Sequence, residues 1–120
     1  MYKFEKLEVY QMALTYTDMI YTLVEKLPRF EEGNLKSQII RAATSVVLNI
    51  AEGSTSQSNN EQRRFLSMAV RSLIETVACQ QLIQLRRYCN QEQLTKRYEF
   101  SQVLFAKLQA LRRALEKKQD

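Results

Sequence analysis

The side chains of this chain that could do chemistry are mainly basic, because lysine and arginine outnumber the acidic residues and histidine is absent. The 120 residues contain 18 Lys and Arg against 13 Asp and Glu, for a net charge of +5. An imidazole is the usual partner of a serine or cysteine nucleophile and the usual acid or base near neutral pH. Its absence, with no carboxylate pair at a catalytic spacing, predicts a protein that is not an enzyme and has no catalytic residues.

The sequence also argues against a bound cofactor or metal ion. Its two glycines, Gly33 and Gly53, are too few and too far apart for a phosphate-binding loop, since such loops need several glycines in one turn. Cys79 and Cys89 fall about 15 Å apart in one predicted helix, which is too far for a disulfide. Neither cysteine has neighbours typical of a metal site. We predict no cofactor and no metal.

Basic side chains are concentrated in the second half of the chain. Residues 1–60 carry six basic and seven acidic residues, whereas residues 61–120 carry twelve and six. A basic surface attracts nucleic-acid phosphates through counterion release, independently of base sequence. The alternative is a solvated face that only keeps the helices soluble. The candidate nucleic-acid contacts are Arg63, Arg64, Arg86, Arg87, Lys96, Lys107 and Lys118.

Three of these lysines have a helical spacing. Lys96, Lys107 and Lys118 recur every eleven residues, so each is turned only about 20° from the previous one. In one continuous helix they would line one side over about 33 Å. This row predicts contact with the backbone of RNA or DNA.

Four helical segments must position these side chains. Apolar residues recur at three- and four-residue intervals, and the single proline and the two glycines interrupt the pattern. Four helices with short connections predict an all-α fold, an antiparallel up-down-up-down four-helix bundle. The predicted single domain covers 1–120, with helices at about 7–27, 35–52, 59–88 and 91–117.

Several residues mark the predicted helix ends. Asn34 is a candidate N-cap of the second helix, and Gly53 is a candidate left-handed C-terminal cap. Ser58 and Glu61 have the spacing of a capping box that opens the third helix. The apolar positions of that third helix cover an arc near 200°, about twice what one core-facing stripe needs. We therefore expect this helix to take part in self-association.

Two carboxylates are predicted to be structural. Glu52 and Glu75 lie near the margins of apolar stripes, and a buried carboxylate needs a cationic partner such as Arg41. Asn49 lies at the margin of the second helix's stripe and is predicted to be a buried, hydrogen-bonded amide. Together these four residues predict a polar network between the second and third helices.

No segment of the chain suggests export or membrane insertion. The first residues lack the apolar region of a signal peptide, and no apolar run approaches the roughly 18 residues that a membrane span requires. We expect a cytoplasmic protein with no membrane partner.

One run of the sequence resembles a family signature. The run RAATSVVLNIAEG, residues 41–53, resembles the motif R-A-A-x-S-[IV]-x-x-N-I-A-E-G of bacterial four-helix-bundle proteins encoded in intervening sequences of 23S ribosomal RNA genes. The same family contains the accessory variability proteins of diversity-generating retroelements. Further matching positions are Phe4, Leu7 to Tyr10, Ala13, Ser58, Asn59, Glu61, Phe65, Leu66, Ala69, Ser72, Leu73 and Glu75.

The resemblance implies a four-helix bundle that assembles as a ring, typically a homopentamer with a basic surface. In the retroelement members this ring binds nucleic acid and the element's reverse transcriptase. Two functional hypotheses follow for this chain. The first is a non-enzymatic, oligomeric accessory protein that binds nucleic acid through the basic residues named above. The second is a protein-interaction scaffold ring with no direct nucleic-acid role.

Overall fold

Four helices joined by short connections make up the fold. The computed structural model of the chain describes residues 1–116. Within that range there is no β-strand, which confirms the all-α prediction. Short 3₁₀ turns at Lys3–Lys6 and Arg29–Glu31 precede and follow the first helix. The helices are α1, Glu8–Val24; α2, Ser37–Gly53; α3, Asn59–Leu85; and α4, Gln91–Glu116.

Contacts between helices show that successive helices run in opposite directions. Ser72 of α3 donates to Ser45 of α2 with 2.9 Å between the hydroxyl oxygens. Lys107, in the second half of α4, lies 3.1 Å from Glu8 at the start of α1. Each helix therefore packs beside the next, and α4 returns to α1. The result is the predicted up-down-up-down bundle, 48 Å long and 23 Å wide.

The apolar stripes of the four helices meet in one core. On α2 the predicted stripe is buried throughout, from Leu35 just before the helix to Ile50 in its last turn. Burial of such side chains contributes roughly 1.5 to 3 kcal/mol each. The largest fully buried side chains include Tyr16, Ile20, Leu23, Ile39, Ile50, Leu66, Leu73, Ile83, Leu104 and Leu108.

The first helix ends earlier than predicted. α1 stops at Val24, three residues before the predicted end at residue 27. From Glu25 to Leu27 each N–H donates to the carbonyl three residues back, over 3.1 to 3.3 Å, so the chain tightens into a 3₁₀-type turn. Proline disfavours the α conformation in the residue before it. Pro28 thus ends the α-helix about one turn before the proline itself.

The start of α2 differs from the predicted cap. A five-residue π-helical segment, Glu32–Lys36, leads directly into α2. The backbone at Asn34 is therefore already helical, and its side chain bonds Glu31 and Gln38 instead of capping a helix start. The prediction of Asn34 as the N-cap is wrong. By contrast Ser58 accepts a hydrogen bond from the Glu61 N–H over 3.1 Å, and α3 begins directly after it, as predicted.

The third helix ends in a left-handed turn at an arginine. α3 stops at Leu85 and not at about residue 88, because Arg87 adopts a φ of 59°. The Arg87 N–H donates to the Gln84 carbonyl over 3.0 Å and the Tyr88 N–H to the Ile83 carbonyl over 3.2 Å. This pair of bonds is the Schellman motif, which glycine usually completes. Here arginine occupies the position at a conformational cost.

The reversal at Arg87 brings Tyr88 back against the bundle. The Tyr88 hydroxyl donates to Glu31 Oε2 over 2.7 Å, and its ring packs edge-on against Phe30 at 6.4 Å between centroids. The hydrogen bond from Tyr88 lowers the pKa of Glu31 below its ordinary value. The α1–α2 connection is thereby tied to the α3–α4 connection.

Gly53 serves close packing and not a left-handed cap. No residue other than Arg87 has a positive φ in the described chain, so the predicted C-terminal cap at Gly53 is wrong. A Cβ atom at Gly53 would lie 2.8 Å from the Cβ of Phe65 on α3. Only glycine lets the end of α2 approach α3 this closely.

Replacing Gly53 with alanine should therefore destabilise the protein. We expect Gly53→Ala to lower the free energy of unfolding by about 1 to 3 kcal/mol, because the added methyl group overpacks the α2–α3 contact. Gly33→Ala is the matched control, since a Cβ there meets nothing within 4 Å. It should be neutral or slightly stabilising. Urea denaturation measures both, and equal effects of the two changes would contradict this account.

Candidate functional site

The candidate nucleic-acid contacts do not form one patch. Arg63 and Arg64 lie in the first two turns of α3, whereas Arg86 and Arg87 follow its last residue. At 1.5 Å per residue the two pairs are about 34 Å apart along the helix axis. The structure therefore places them at opposite ends of the bundle. Lys118 lies outside the described residues.

Two of the six described candidates are engaged with carboxylates. Lys107 Nζ lies 3.1 Å from Glu8 Oε1, and an Arg63 nitrogen lies 3.8 Å from Glu116 Oε2. The other four candidates are exposed and form no salt bridge with another described residue: Arg64, Arg86, Arg87 and Lys96.

The arginine beside Lys96 has a structural role that the sequence reasoning missed. Arg97 is buried, and it donates from Nε to the Met19 carbonyl over 2.8 Å and from Nη1 to the Gln93 carbonyl over 2.9 Å. It thus joins α4 to α1. The available signal was its position between Leu94 and Ser101, on the buried stripe of α4.

A single hydroxyl contact joins α2 and α3 in place of the predicted polar network. Glu52 and Glu75 are exposed, so neither needs a buried cationic partner, and Arg41 donates to Ser37 on its own helix over 3.2 Å. The prediction that these three residues join the helices is wrong. Asn49 is half-buried, and its amide donates to the carbonyl and hydroxyl of Ser45 on its own helix over 2.9 and 3.0 Å. Ser45 in turn accepts from Ser72 of α3.

A second polar chain crosses the core between α1 and α3. The Gln80 amide donates to the Tyr16 hydroxyl over 2.7 Å, Tyr16 donates to Thr76 over 2.8 Å, and Thr76 donates to the Leu73 carbonyl over 2.6 Å. Tyr16 is fully buried and its ring stacks on Phe100 of α4. Burial raises the pKa of Tyr16 to about 12. This hydroxyl is therefore a neutral structural group.

A groove runs between α3 and α4 on the surface of the bundle. It consists of two clefts, of about 230 and 360 Å³, which share Val77 and Tyr98. No charged residue of the described chain lines either cleft. The upper cleft, near the end of α3, is lined mainly by Gln80, Gln81, Gln84, Gln91, Thr95 and Tyr98. The lower cleft is lined mainly by Ile74, Val77, Tyr98, Gln102 and Phe105.

The groups that could hold a metal or act as nucleophiles are scattered. The described residues contain no group of three His, Cys, Asp or Glu that could hold a metal ion. Cys79 and Cys89 are free thiols, and burial raises the pKa of each.

Between residues 1 and 116 no helix has the length and apolar character to cross a membrane.

The sequence of this bundle also matches a family model. The model for the 23S rRNA-intervening sequence protein family covers residues 5–110. The chain belongs to this family. The match spans all of α1 to α3 and most of α4, and so includes the α3–α4 groove and every described candidate cation.

A solved structure has a similar fold. It is the crystal structure of a protein of unknown function from the S23 ribosomal protein family of Bacteroides thetaiotaomicron. The two chains share 25% identity with a TM-score of 0.80, over 87% of this chain and 97% of the other. No protein of curated function matches this member of the 23S rRNA-intervening sequence protein family. Function must therefore be argued from its own side chains.

The buried hydroxyl of Tyr16 leads to a prediction about stability at high pH. An unfolded tyrosine ionises near pH 10, whereas folding holds the pKa of Tyr16 at about 12. The protonated hydroxyl thus favours the folded state below pH 10, and this contribution, roughly 3 kcal/mol, is lost as the pH rises from 10 to 12.

We expect Tyr16→Phe to lose about 1 to 3 kcal/mol of stability at neutral pH, because the Gln80 amide loses its acceptor. Between pH 10 and 12 the variant should lose stability less steeply than the wild type. Urea titrations across this range provide the measurement, with Tyr21→Phe as the exposed control. If the free energies of unfolding of wild type and Tyr16→Phe fell in parallel between pH 10 and 12, ionisation of Tyr16 would not be linked to folding.

Proposed function

We propose that this protein is a non-enzymatic, oligomeric accessory protein that binds the backbone of RNA or DNA through basic side chains. The observation that carries this proposal is the set of four exposed cations, Arg64, Arg86, Arg87 and Lys96, that form no salt bridge with another described residue. Such side chains are available to phosphates at little cost in broken contacts.

Binding of this kind depends on charge and not on base sequence. Each phosphate neutralised by Lys or Arg releases a counterion, so affinity falls as salt rises. Only four of the six described candidates are exposed and free of salt bridges with other described residues. We therefore expect moderate affinity per copy, and an oligomer would present several such surfaces to one polyanion.

Self-association is part of the proposal and is supported by the end of α3. The ten residues 76–85 carry no charge, in a chain of which 26% of residues are charged. Leu82 and Leu85 on this segment are 48% and 72% exposed and line neither cleft of the α3–α4 groove. Burying such side chains between copies would remove apolar surface from water. By resemblance, we propose a homopentameric ring.

A protein-interaction scaffold is the second candidate. The observation that favours it is the engagement of Lys107 and Arg63 with carboxylates, together with the uncharged surface at the end of α3. That surface could bind another protein, such as a reverse transcriptase, with no direct role for nucleic acid. The two experiments below separate these functions.

Reversal of the free charges should weaken nucleic-acid binding. We expect Arg86→Glu/Arg87→Glu to reduce affinity for RNA at low salt by at least about tenfold, and to flatten the slope of log affinity against log salt by about one to two. Arg41→Glu/Arg71→Glu makes the same change in charge at exposed positions outside the candidate set and should reduce affinity less. Fluorescence anisotropy measures both variants. Wild-type protein that binds no RNA at low salt would favour the scaffold.

The oligomer can be tested by its mass. We expect light scattering to give about five times the 14.1 kDa of one chain, and Leu82→Lys/Leu85→Lys to lower the mass, because two charges would be buried without partners. Leu14→Lys/Leu48→Lys changes two other exposed leucines and should leave the mass unchanged. A wild-type monomer would remove the oligomer from the proposal.

A further inference from the structure

We propose that the nucleic acid is a single strand that lies along the α3–α4 groove. Its bases would face the aromatic and amide side chains of the two clefts, and its phosphates Arg86 and Arg87 at the upper end. The inference rests on the proposed function and specifies the form of the nucleic acid and its place on the protein.

The distribution of charge along the groove suits a strand with this orientation. The lining of both clefts is uncharged. On α3 it extends from Leu73 to Gln84, and Arg86 and Arg87 follow within one turn of Gln84. Arg63 lies ten residues before Leu73, outside the clefts, and is paired with Glu116. A neutral groove with a cationic upper end suits neutral bases on an anionic backbone.

A buried polar atom without a hydrogen-bond partner belongs to the same groove. Gln80 is only 4% exposed and lines the upper cleft, and its Oε1 atom is buried with no hydrogen-bond partner among the described residues. Buried polar groups are rarely left in this way. An N–H group of a base that enters the upper cleft would supply a donor to Gln80.

The aromatic residues of the groove are placed to stack on bases. Tyr98 is 44% exposed and lines both clefts, so its ring borders the whole groove. Phe105 lies two turns further along α4 in the lower cleft. Stacking on such rings is tolerant of sequence because every base has an aromatic face. Glutamine amides beside the rings can bond the edges of unpaired bases.

These contacts require a single strand. In a duplex the Watson–Crick donors of the bases are already paired and the faces of the bases are stacked on one another, so neither could meet Gln80 and Tyr98 in this way. A groove between two neighbouring helices can accept one strand with its bases turned inward. We therefore expect single-stranded RNA or DNA to bind more tightly than a duplex of equal length.

Tyr98 provides the test. The full chain is titrated with a single-stranded oligonucleotide of about twelve nucleotides, within the usual range of site sizes, that carries 2-aminopurine. The chain contains no tryptophan, so the signal of this fluorescent base is easily isolated. We expect the wild type to quench 2-aminopurine, and Tyr98→Ala to abolish the quenching and weaken binding about tenfold.

Two variants and a duplex serve as controls. Tyr98→Phe keeps the ring and should behave as the wild type. Tyr21→Ala removes a tyrosine that is 48% exposed on α1, away from the groove, and should change nothing. The matching duplex should bind more weakly and respond equally little to either alanine substitution.

Other outcomes overturn the inference in distinguishable ways. If Tyr98→Ala left salt-dependent binding unchanged, the nucleic acid would bind elsewhere on the protein. Equal affinity for duplex and single strand would lead to the same conclusion. Either result would leave the proposed function standing. A change in the mass of the oligomer on Tyr98→Ala would identify the groove as a contact between copies. Absence of binding by wild type at low salt would remove this inference together with the proposed function.

Discussion

The hydrogen-bonded chain from Gln80 through Tyr16 to Thr76 fixes the arrangement of the whole bundle. It crosses the core between α1 and α3, which are diagonal in the bundle. An apolar core alone tolerates rotation and sliding of helices, but a buried polar group must meet its partner. With α1 and α3 held in one register, the faces of α3 that meet α2 and α4 are also set. The α3–α4 groove therefore depends on a bond made by Gln80, which also lines its upper cleft.

Much of the fold could be predicted because apolar spacing is a local property. The stripe of α2 from Leu35 to Ile50 is buried as its periodicity indicates, and the Ser58 cap opens α3 at the expected residue. Errors arose where a residue type has more than one use. Asn34 lies in a π-helical segment, Gly53 serves close packing, and Arg87 adopts a left-handed conformation that favours glycine.

The candidate site was less predictable, because a sequence shows charges but not their partners. Lys107 has the spacing of a free phosphate contact, yet Glu8 reaches it from a residue 99 positions away. Arg97 directly follows Lys96, yet it is buried against the backbone of α1 and is not a surface cation. Glu52 and Glu75 lie at the margins of their apolar stripes, where spacing alone does not decide burial, and both are exposed. The α3–α4 groove could not be inferred before the two helices were placed side by side.

The contact between Tyr88 and Glu31 also bears on how the bundle stays closed. The molecule consists of two helical hairpins, α1–α2 and α3–α4, joined at residues 54–58, and the Tyr88–Glu31 contact is at the opposite end. Hairpins joined by one short hinge are the units that identical chains exchange in domain swapping. Because the Tyr88–Glu31 hydrogen bond is at the end opposite the hinge, it opposes separation of the two hairpins where they would move apart the most. The strained backbone at Arg87 thus contributes to keeping each chain's hairpins paired with one another.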